Sequence, residues 1–148
     1  MTIESNALCV GDWYEVDLPM RWADADMLQH MNNAVYFRFM EEARILMMAS
    51  AGLKSTDEVG KVVAHCSCDF MKAITYPADV RVRLTVEKIG RTSMTHLNEL
   101  FVVHDLGSGP YARGRTVLVN INHDLGQSVP WTEADLLAFG RVCQPSQS

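Results

Sequence analysis

The sequence predicts an α+β fold, in which an antiparallel five-stranded sheet wraps around one long central helix and a short second helix follows at the C-terminus. Two observations lead to this prediction. Residues 33–51 form about five turns of a mainly apolar helical segment, and the chain beyond residue 60 alternates between apolar and polar residues in several runs. Strands joined by short turns pair antiparallel and need a helix to cover one face.

The long helical segment is apolar on most of its circumference. Such a helix is expected to be buried rather than to lie on a surface. A single sheet covers only part of it, so a second copy of the chain is the simplest cover for the remainder. Glu41 and Arg44 are expected to form a structural or interface ion pair, and Gly52 is expected to end the helix. The few polar residues of the segment are Arg38, Glu41, Glu42 and Arg44.

The strands follow from period-two patterns. The clearest is 80–86, in which valine and leucine alternate with charged residues and threonine. Residues 14–22 form the first strand, with Pro19 at its end or on an edge. Apolar residues at 62, 64, 66, 68 and 70 are predicted to share one face of another strand. The remaining predictions are strands at 93–104 and 111–122, a possible bulge at Gly114 and a short helix capped by Thr132.

Composition limits the class of protein. The 148 residues suit a single domain, predicted over 1–143, with residues 144–148 expected to be a disordered tail. A formal net charge of -5 argues against nucleic acid as a partner. We find no signal peptide and no apolar stretch of bilayer length, so no membrane partner is expected. The cytoplasm is the expected compartment, and the cysteines are expected to be reduced.

Motifs for metals and phosphates are not apparent. Cys66 and Cys68 form a C-x-C pair rather than the C-x-x-C of common zinc and redox motifs. The histidines lack metal-like spacing, so no metal is predicted. The chain has neither a P-loop nor a G-x-G-x-x-G motif.

A short polar loop precedes the long helix and carries most of the functional information. It contains two acids, a histidine and two asparagines, namely Asp24, Asp26, His30, Asn32 and Asn33. The N-terminus of a helix offers unpaired N–H groups and a partial positive charge. Polar, acid-bearing loops at such a position are suitable places for an active site.

These residues resemble hotdog-fold acyl-CoA thioesterases of the 4-hydroxybenzoyl-CoA thioesterase type. The resemblance rests on Asp24-Ala25-Asp26, His30-Met31-Asn32-Asn33, Tyr36 and Glu41-Glu42-Ala43-Arg44, and it extends over roughly residues 13–131. It implies a hotdog fold and hydrolysis of an acyl-CoA to the free acid and coenzyme A. Many relatives have glycine before the position of His30, where this chain has Gln29; a glycine there would permit a positive φ.

The resemblance also implies roles for the loop. Asp26 is the expected catalytic carboxylate, acting either as a base toward water or as a nucleophile. The backbone N–H near Asn33 is the expected oxyanion site. His30 is assigned either to loop packing or to a role facing the substrate, and Asp24 to bracing the loop. Contacts to the substrate are expected from Asp24, Gln29, Asn32, Tyr36, Lys88 and Arg91.

Coenzyme A is part of the expected substrate, so no separate cofactor is predicted. Lys88 and Arg91 are the candidate contacts to its phosphates. The chain is expected to form a homodimer or a dimer of dimers. Two alternatives remain open: a non-catalytic acyl-CoA binding module, and a hotdog dehydratase or hydratase acting on acyl thioesters. The acyl group, and the choice between coenzyme A and acyl carrier protein, are not predicted.

Overall fold

The computed structural model describes residues 6–54 and 57–146. The elements occur in the predicted order, with one additional short strand. A 3-10 turn at Trp22–Asp24 precedes the long helix, and a second lies at Val103–Ser108. The strands and helices are β1 Trp13–Pro19, α1 Asn33–Ser50, β2 Val59–Phe70, β3 Asp79–Ile89, β4 Ser93–Val102, β5 Ala112–Asn122, β6 Gln127–Ser128 and α2 Glu133–Val142.

The long strands form one antiparallel sheet in the order β1-β3-β4-β5-β2, and β6 pairs with β5. The sheet is curled, α1 packs against it, and the short helix α2 closes the fold. This confirms the predicted α+β class and the sheet of five long strands. The two-residue strand β6 was not predicted, because so short a pairing has no periodicity. β1 and β2 form the two edges of the long sheet, and both lie next to segments that lead into or out of α1.

Helix α1 begins and ends where the sequence predicts. Asn32 is the N-cap, and its side-chain oxygen accepts a hydrogen bond from the Ala34 N–H at 3.0 Å. Ala51 caps the C-terminus, and Gly52 follows with a φ of +79°. Glycine adopts this left-handed conformation without the steric cost of a Cβ atom, so it ends the helix cleanly.

Only one stripe of α1 is buried in the single chain. The opposite side leaves Ile45 50% exposed and Leu46 36% exposed. One chain thus covers only part of the helix, as the sequence predicts, and the cover for the remaining side stays a prediction. Arg44 is only 8% exposed, yet it forms none of the ion pairs found among residues 6–54 and 57–146, including the expected pair with Glu41. The buried stripe consists of Val35, Tyr36, Phe39, Met40, Ala43, Arg44 and Met47.

Gly114 allows α1 to approach the sheet closely. A Cβ atom at this position would clash with the backbone of Ser67 and would lie 3.0 Å from the Cε of Met40 on α1. The ladders on both sides run without interruption through Gly114, which lies opposite Cys68 and Asn98. The predicted bulge at Gly114 is therefore wrong, and the glycine serves helix–sheet packing instead.

A bulge occurs instead in β2, between Val63 and His65. It adds one residue, so the alternation of faces reverses along the strand. Val62 lies opposite Val119, whereas Cys66 lies opposite the buried Thr116. The prediction that residues 62 to 70 share one face is therefore wrong for the first part of the strand, and Cys66 faces α1 with Cys68.

The C-terminal segment also packs on the sheet. Thr132 and Asp135 form a capping box at the start of α2, which confirms the predicted cap. Beyond α2, the N–H of Gln144 donates to the Trp13 oxygen at 2.6 Å, and the Trp13 N–H donates back to Gln144 at 3.0 Å. The tail that was expected to be disordered is thus held at its start, and residues 147 and 148 lie outside the described residues.

The sheet presents a row of polar side chains toward α1. His96, Asn98, Thr116 and Asn120 are each only 1% exposed. Asn98 donates from Nδ2 to the Thr116 Oγ1 at 2.9 Å, and the Nε2 of His96 lies 3.0 Å from the Sδ of Met94. Nδ1 of His96 has no hydrogen-bond partner among the described residues. Burial, and then the nearby charge of Arg44, lower the pKa of His96 from 6.5 to about 4.

The buried His96 makes stability depend on pH. The unfolded chain takes up a proton on this residue as the pH falls below about 6.5, whereas the folded chain does so only near pH 4. The free energy of unfolding is therefore expected to fall across this window by up to about 3 kcal/mol. Urea unfolding between pH 7 and pH 4 measures the slope. It should flatten in His96→Gln and persist in the control His104→Gln, whose side chain is exposed; an equal slope in His96→Gln would contradict this prediction.

Candidate active site

The loop between β1 and α1 is closed on itself by main-chain pairing. Ala25 bridges Met31, and the N–H of Asp26 donates to the His30 oxygen at 2.8 Å. His30 also bridges Thr75 in the segment that leads into β3. Residues 26–30 therefore form a short closed loop, called the Asp26 loop, which lies directly before the N-cap of α1.

Asp26 lies at the start of the Asp26 loop, and only one of its two carboxylate oxygens accepts hydrogen bonds within the described part of the chain. Oδ1 accepts hydrogen bonds from the N–H of Leu28 at 2.8 Å and from the N–H of His30 at 3.2 Å. Oδ2 takes part in none of the hydrogen bonds found among residues 6–54 and 57–146. The residue is exposed, and one carboxylate oxygen is held by the backbone while the other has no hydrogen-bond partner among the described residues.

Gln29 lies within the Asp26 loop and has a φ of +61°. Among the described residues it is the only non-glycine with a positive φ. Its N–H donates to the main-chain oxygen of Asp26 at 3.0 Å. Its own main-chain oxygen accepts from the Tyr76 N–H at 2.9 Å. The position where many relatives of the resembled family have glycine is thus left-handed in this chain, with glutamine in place.

Asp24 is 1% exposed, and both of its side-chain oxygens are occupied. Oδ2 accepts from the backbone N–H of Arg21 at 2.8 Å, and Oδ1 lies 3.4 Å from Nη1 of Arg38. Its main-chain oxygen accepts from the Asn32 N–H at 2.9 Å. Asp24 therefore connects the end of β1 to the first turns of α1 and presents no free oxygen to a substrate.

The start of α1 offers an unpaired donor next to this loop. Asn32 caps the helix through Ala34, and its main-chain oxygen accepts from the Val35 N–H at 2.8 Å. The N–H of Asn33, the first helical residue, donates in none of the hydrogen bonds found within the described part of the chain. A free N–H at a helix start, with the helix dipole behind it, suits a developing negative charge.

Tyr36 forms the floor beneath the loop. It is 2% exposed, and its ring packs edge-on against Phe70 with the centroids 4.9 Å apart. Burial raises the pKa of Tyr36; a hydrogen bond from the backbone of Ile74 opposes this, and the nearby acidic groups of Cys68 and Asp26 add to it. The tyrosine is therefore neutral at physiological pH and lies within electrostatic range of Asp26.

Lys88 and Arg91 are not brought to the loop within one chain. The loop begins beside the start of β3, where the Met20 N–H donates to the Ala78 oxygen at 2.8 Å. Lys88 lies nine residues further along β3, which is about 30 Å at the usual rise of a strand. The structure thus brings together Asp24, Asp26, Gln29, His30, Asn32, Asn33 and Tyr36, but neither of the two basic residues.

Sequence reasoning did not include two arginines and three apolar side chains that surround the loop. The side chains of Arg21 and Arg38 are 65% and 58% exposed while they pair with Asp24. The spacing of Arg21 and Asp24 is a signal for the first pair, whereas the contact of Arg38 depends on the tertiary fold. The exposed apolar side chains are Trp22 at 77%, Met27 at 99% and Leu28 at 72%.

A groove of about 720 Å³ lies along the second half of α1. Ile45, Met48, Leu53 and Val63 form apolar walls, and Arg44 contributes a buried cation. Ile45 is 12 residues from Asn33, or about 18 Å along the helix axis. The groove therefore lies away from Asp26 in the same chain.

Two classes of site receive no support from the described residues. No three or more histidine, cysteine, aspartate or glutamate residues in 6–54 and 57–146 are grouped so as to hold a metal ion. No helix in the same ranges is long and apolar enough to cross a membrane.

The arrangement is suited to reactions at a carbonyl group. An exposed carboxylate with one anchored oxygen can act as a base or as a nucleophile. A free backbone N–H at a helix start can stabilise the oxyanion that forms when a carbonyl is attacked. A neutral tyrosine and several apolar side chains supply a surface for the rest of an acyl group.

Comparisons with known proteins identify the family of the chain. Residues 20–139 match the model of the thioesterase-like superfamily. YsmA of Bacillus subtilis, a protein without a characterised function, is 27% identical over 121 residues, which is 78% of each chain.

Solved structures show the same fold. PA2801 from Pseudomonas aeruginosa, whose thioesterase assignment is provisional, superposes with a TM-score of 0.78 at 30% identity, over 82% of this chain and 93% of that one. Slr0204 from Synechocystis, a 1,4-dihydroxy-2-naphthoyl-CoA thioesterase, has a TM-score of 0.76 at 17% identity, over 86% of this chain and 95% of that one. The chain has the hotdog fold and belongs to the thioesterase-like superfamily.

Proposed function

We propose that the protein hydrolyses an acyl-CoA thioester to the free acid and coenzyme A at the loop around Asp26. The observation that carries this proposal is the exposed residue Asp26, whose carboxylate is anchored through Oδ1 and lies before a helix start with a free N–H. Membership of the thioesterase-like superfamily supports the reaction class. Slr0204, a thioesterase on a naphthoyl-CoA, supports coenzyme A as the thiol.

The remaining loop residues take supporting roles in this proposal. The N–H of Asn33 stabilises the oxyanion, and Asn32 holds that N–H in place as the cap of the helix. Asp24 braces the loop through Arg21 and Arg38, since it has no free oxygen. His30 contributes its main chain to the anchoring of Asp26. Tyr36, which is 2% exposed, supports the site by packing against Phe70.

Two chemical routes are compatible with an exposed carboxylate. As a base, Asp26 takes a proton from water, which attacks the thioester carbonyl and releases the thiol. As a nucleophile, Asp26 attacks the carbonyl itself, so the C–S bond breaks and a mixed anhydride forms; water then cleaves the anhydride to the acid and restores Asp26. Both routes develop the same oxyanion and require the same N–H donor.

Replacing the carboxylate tests the assignment of Asp26. Asp26→Asn keeps the size of the side chain but removes the charge, so kcat is expected to fall roughly 10²–10⁴-fold. Thiol release from short, long and aromatic acyl-CoAs is the measurement, and Asp124→Asn in the exposed turn after β5 is the matched control. Full activity in Asp26→Asn would refute the site. A wild-type protein that binds acyl-CoA without turnover across the panel would refute the enzyme in favour of a binding module.

Isotope labelling distinguishes the two routes. In a single turnover with excess enzyme in H₂¹⁸O, the nucleophilic route places ¹⁸O in the side chain of Asp26 whenever water attacks the Asp26 carbonyl of the anhydride. The base route places all of the label in the product acid. Peptide mass spectrometry of residues 20–40 measures the incorporation. A labelled peptide would assign Asp26 as the nucleophile, whereas an unlabelled peptide is the result expected for the base route or for attack of water at the acyl carbonyl alone.

The same proposal includes a second copy of the chain. β2 is an edge strand of 12 residues, and its residues 62–67 are all exposed. A long, free, partly apolar edge favours pairing with another strand. The exposed side of α1 and the groove beside it continue this surface, and the buried Arg44 lacks an ionic partner among the described residues. A two-fold contact would cover all of these features at once.

A second copy also gives Lys88 and Arg91 a role. Lys88 is separated from the loop of its own chain by about 30 Å of strand, so in this proposal both residues contact the substrate as part of the other copy's site. In this arrangement, the phosphates of coenzyme A bind one subunit while the thioester carbon lies at the loop of the other. The active site is then incomplete in a monomer.

A charge placed on the exposed side of α1 tests the assembly. Ile45→Glu puts two like charges into a two-fold contact and is expected to weaken the dimer at least tenfold, which corresponds to about 1.4 kcal/mol. Val10→Glu is the matched control, because Val10 is 59% exposed at another surface. Sedimentation measures the state, and acyl-CoA hydrolysis should fall with the dimer fraction. A wild-type protein that is monomeric and active at micromolar concentration would refute the second copy.

A further inference from the structure

The unusual backbone of Gln29 has a geometric consequence for Asp26. The two N–H groups that bind Oδ1 belong to the residues immediately before and after Gln29. Successive N–H groups of an extended segment point to opposite sides of the chain. A left-handed residue between two others turns their N–H groups toward one concavity, and such nests bind anionic oxygens. The φ of +61° at Gln29 thus creates the cradle for Asp26.

Other contacts hold Gln29 in this conformation without using its side chain. The N–H of Gln29 closes a turn by donating to the main-chain oxygen of Asp26 at 3.0 Å. The main-chain oxygen of Gln29 accepts from the Tyr76 N–H at 2.9 Å. The His30–Thr75 bridge fixes the next residue along. Gln29 is exposed and appears in none of the side-chain hydrogen bonds found among the described residues. All of the hydrogen bonds that Gln29 makes among the described residues therefore come from its main chain.

We propose that Gln29 is a positioning residue for the proposed hydrolysis, and that its left-handed backbone, rather than its amide side chain, aims the carboxylate of Asp26. This inference rests on the proposed function. The conformation is unfavourable for residues with a Cβ atom and most unfavourable for β-branched ones, whereas glycine and asparagine adopt it readily. The rank order of substitutions at position 29 should therefore follow backbone preference.

The expected effects follow from displacement of one carboxylate. In Gln29→Val the loop relaxes toward a negative φ, and the N–H groups of Leu28 and His30 no longer converge. A misplacement of about 1 Å costs roughly 10²-fold in rate. We expect kcat to fall by about this factor in Gln29→Val, with KM changed less than threefold, since the acyl surface is intact. Gln29→Gly, Gln29→Asn and Gln29→Ala should retain kcat within about threefold.

A second measurement does not depend on activity. Hydrogen exchange of the Leu28 and His30 amides reports whether the nest is formed, because both N–H groups are hydrogen-bonded to Asp26. Exchange should accelerate at these two amides in Gln29→Val and stay at the wild-type rate in Gln29→Gly. Gln127→Val, at an exposed strand position, is the matched control and should change neither exchange at the loop nor kcat. Gln29→Thr replaces the valine variant if circular dichroism shows that the latter is unfolded.

The outcomes separate this inference from the proposed function. Loss of kcat in the β-branched variant, with retention in the glycine and asparagine variants, supports it. It is overturned if Gln29→Val and Gln29→Thr keep wild-type kcat and exchange, or if Gln29→Gly loses as much as they do, because the side chain would then be the active part. A wild type without turnover on any acyl-CoA refutes the proposed function alone, and the exchange rates still decide whether Gln29 forms the nest.

Discussion

The buried carboxylate of Asp24 is the interaction on which the geometry of the loop depends. It joins the backbone of Arg21 at the end of β1 to Arg38 on α1, and its main-chain oxygen holds Asn32 at the helix cap. An isolated buried carboxylate would be strongly unfavourable. Here the two guanidinium groups remain 65% and 58% exposed, so they neutralise the acid while keeping much of their hydration. Loop and helix are thereby fixed to each other at little cost.

Asp26, the second acid of the loop, has the opposite environment. Asp26 lies two residues after Asp24, but it is exposed and has only one oxygen engaged. Its partners are main-chain N–H groups, whose directions are set by the backbone conformation of the loop. Two aspartates in one short segment thus differ because one faces the body of the protein and the other faces outward. The difference is typical of a pair in which one residue supports and the other reacts.

Most of the fold could be predicted because it rests on periodicity. The bounds of α1 and the capping box at Thr132 follow from local residue chemistry, and the long strands follow from alternation. The bulge in β2 could not be predicted, since neither Val63 nor His65 carries a signal for an added residue. Gly114 was interpreted locally as a bulge, although its role is the contact with Met40 of a distant element.

The candidate site also has features that the sequence predicts and features that it does not. The loop residues are close in sequence, so their proximity was predictable from the motif Asp24-Ala25-Asp26. The remoteness of Lys88 depends on which end of β3 adjoins the loop, and a sequence pattern does not contain this information. The positive φ of Gln29 was suggested only by the absence of an expected glycine. Its effect on Asp26 depends on hydrogen-bond geometry that no residue type specifies.

The exposure of the loop connects the site to the proposed assembly. Hydrolysis at a carbonyl benefits from excluding all water except the molecule that reacts, because electrostatic stabilisation is stronger in a drier site. In a single chain, Trp22, Met27 and Leu28 stand largely in solvent beside Asp26, and Phe70 is 43% exposed beneath them. Such side chains cost free energy in water and gain it when covered. In the proposed function, the substrate and the second subunit together cover these side chains. The free energy gained from both contacts then excludes water from around the carboxylate that acts on the thioester.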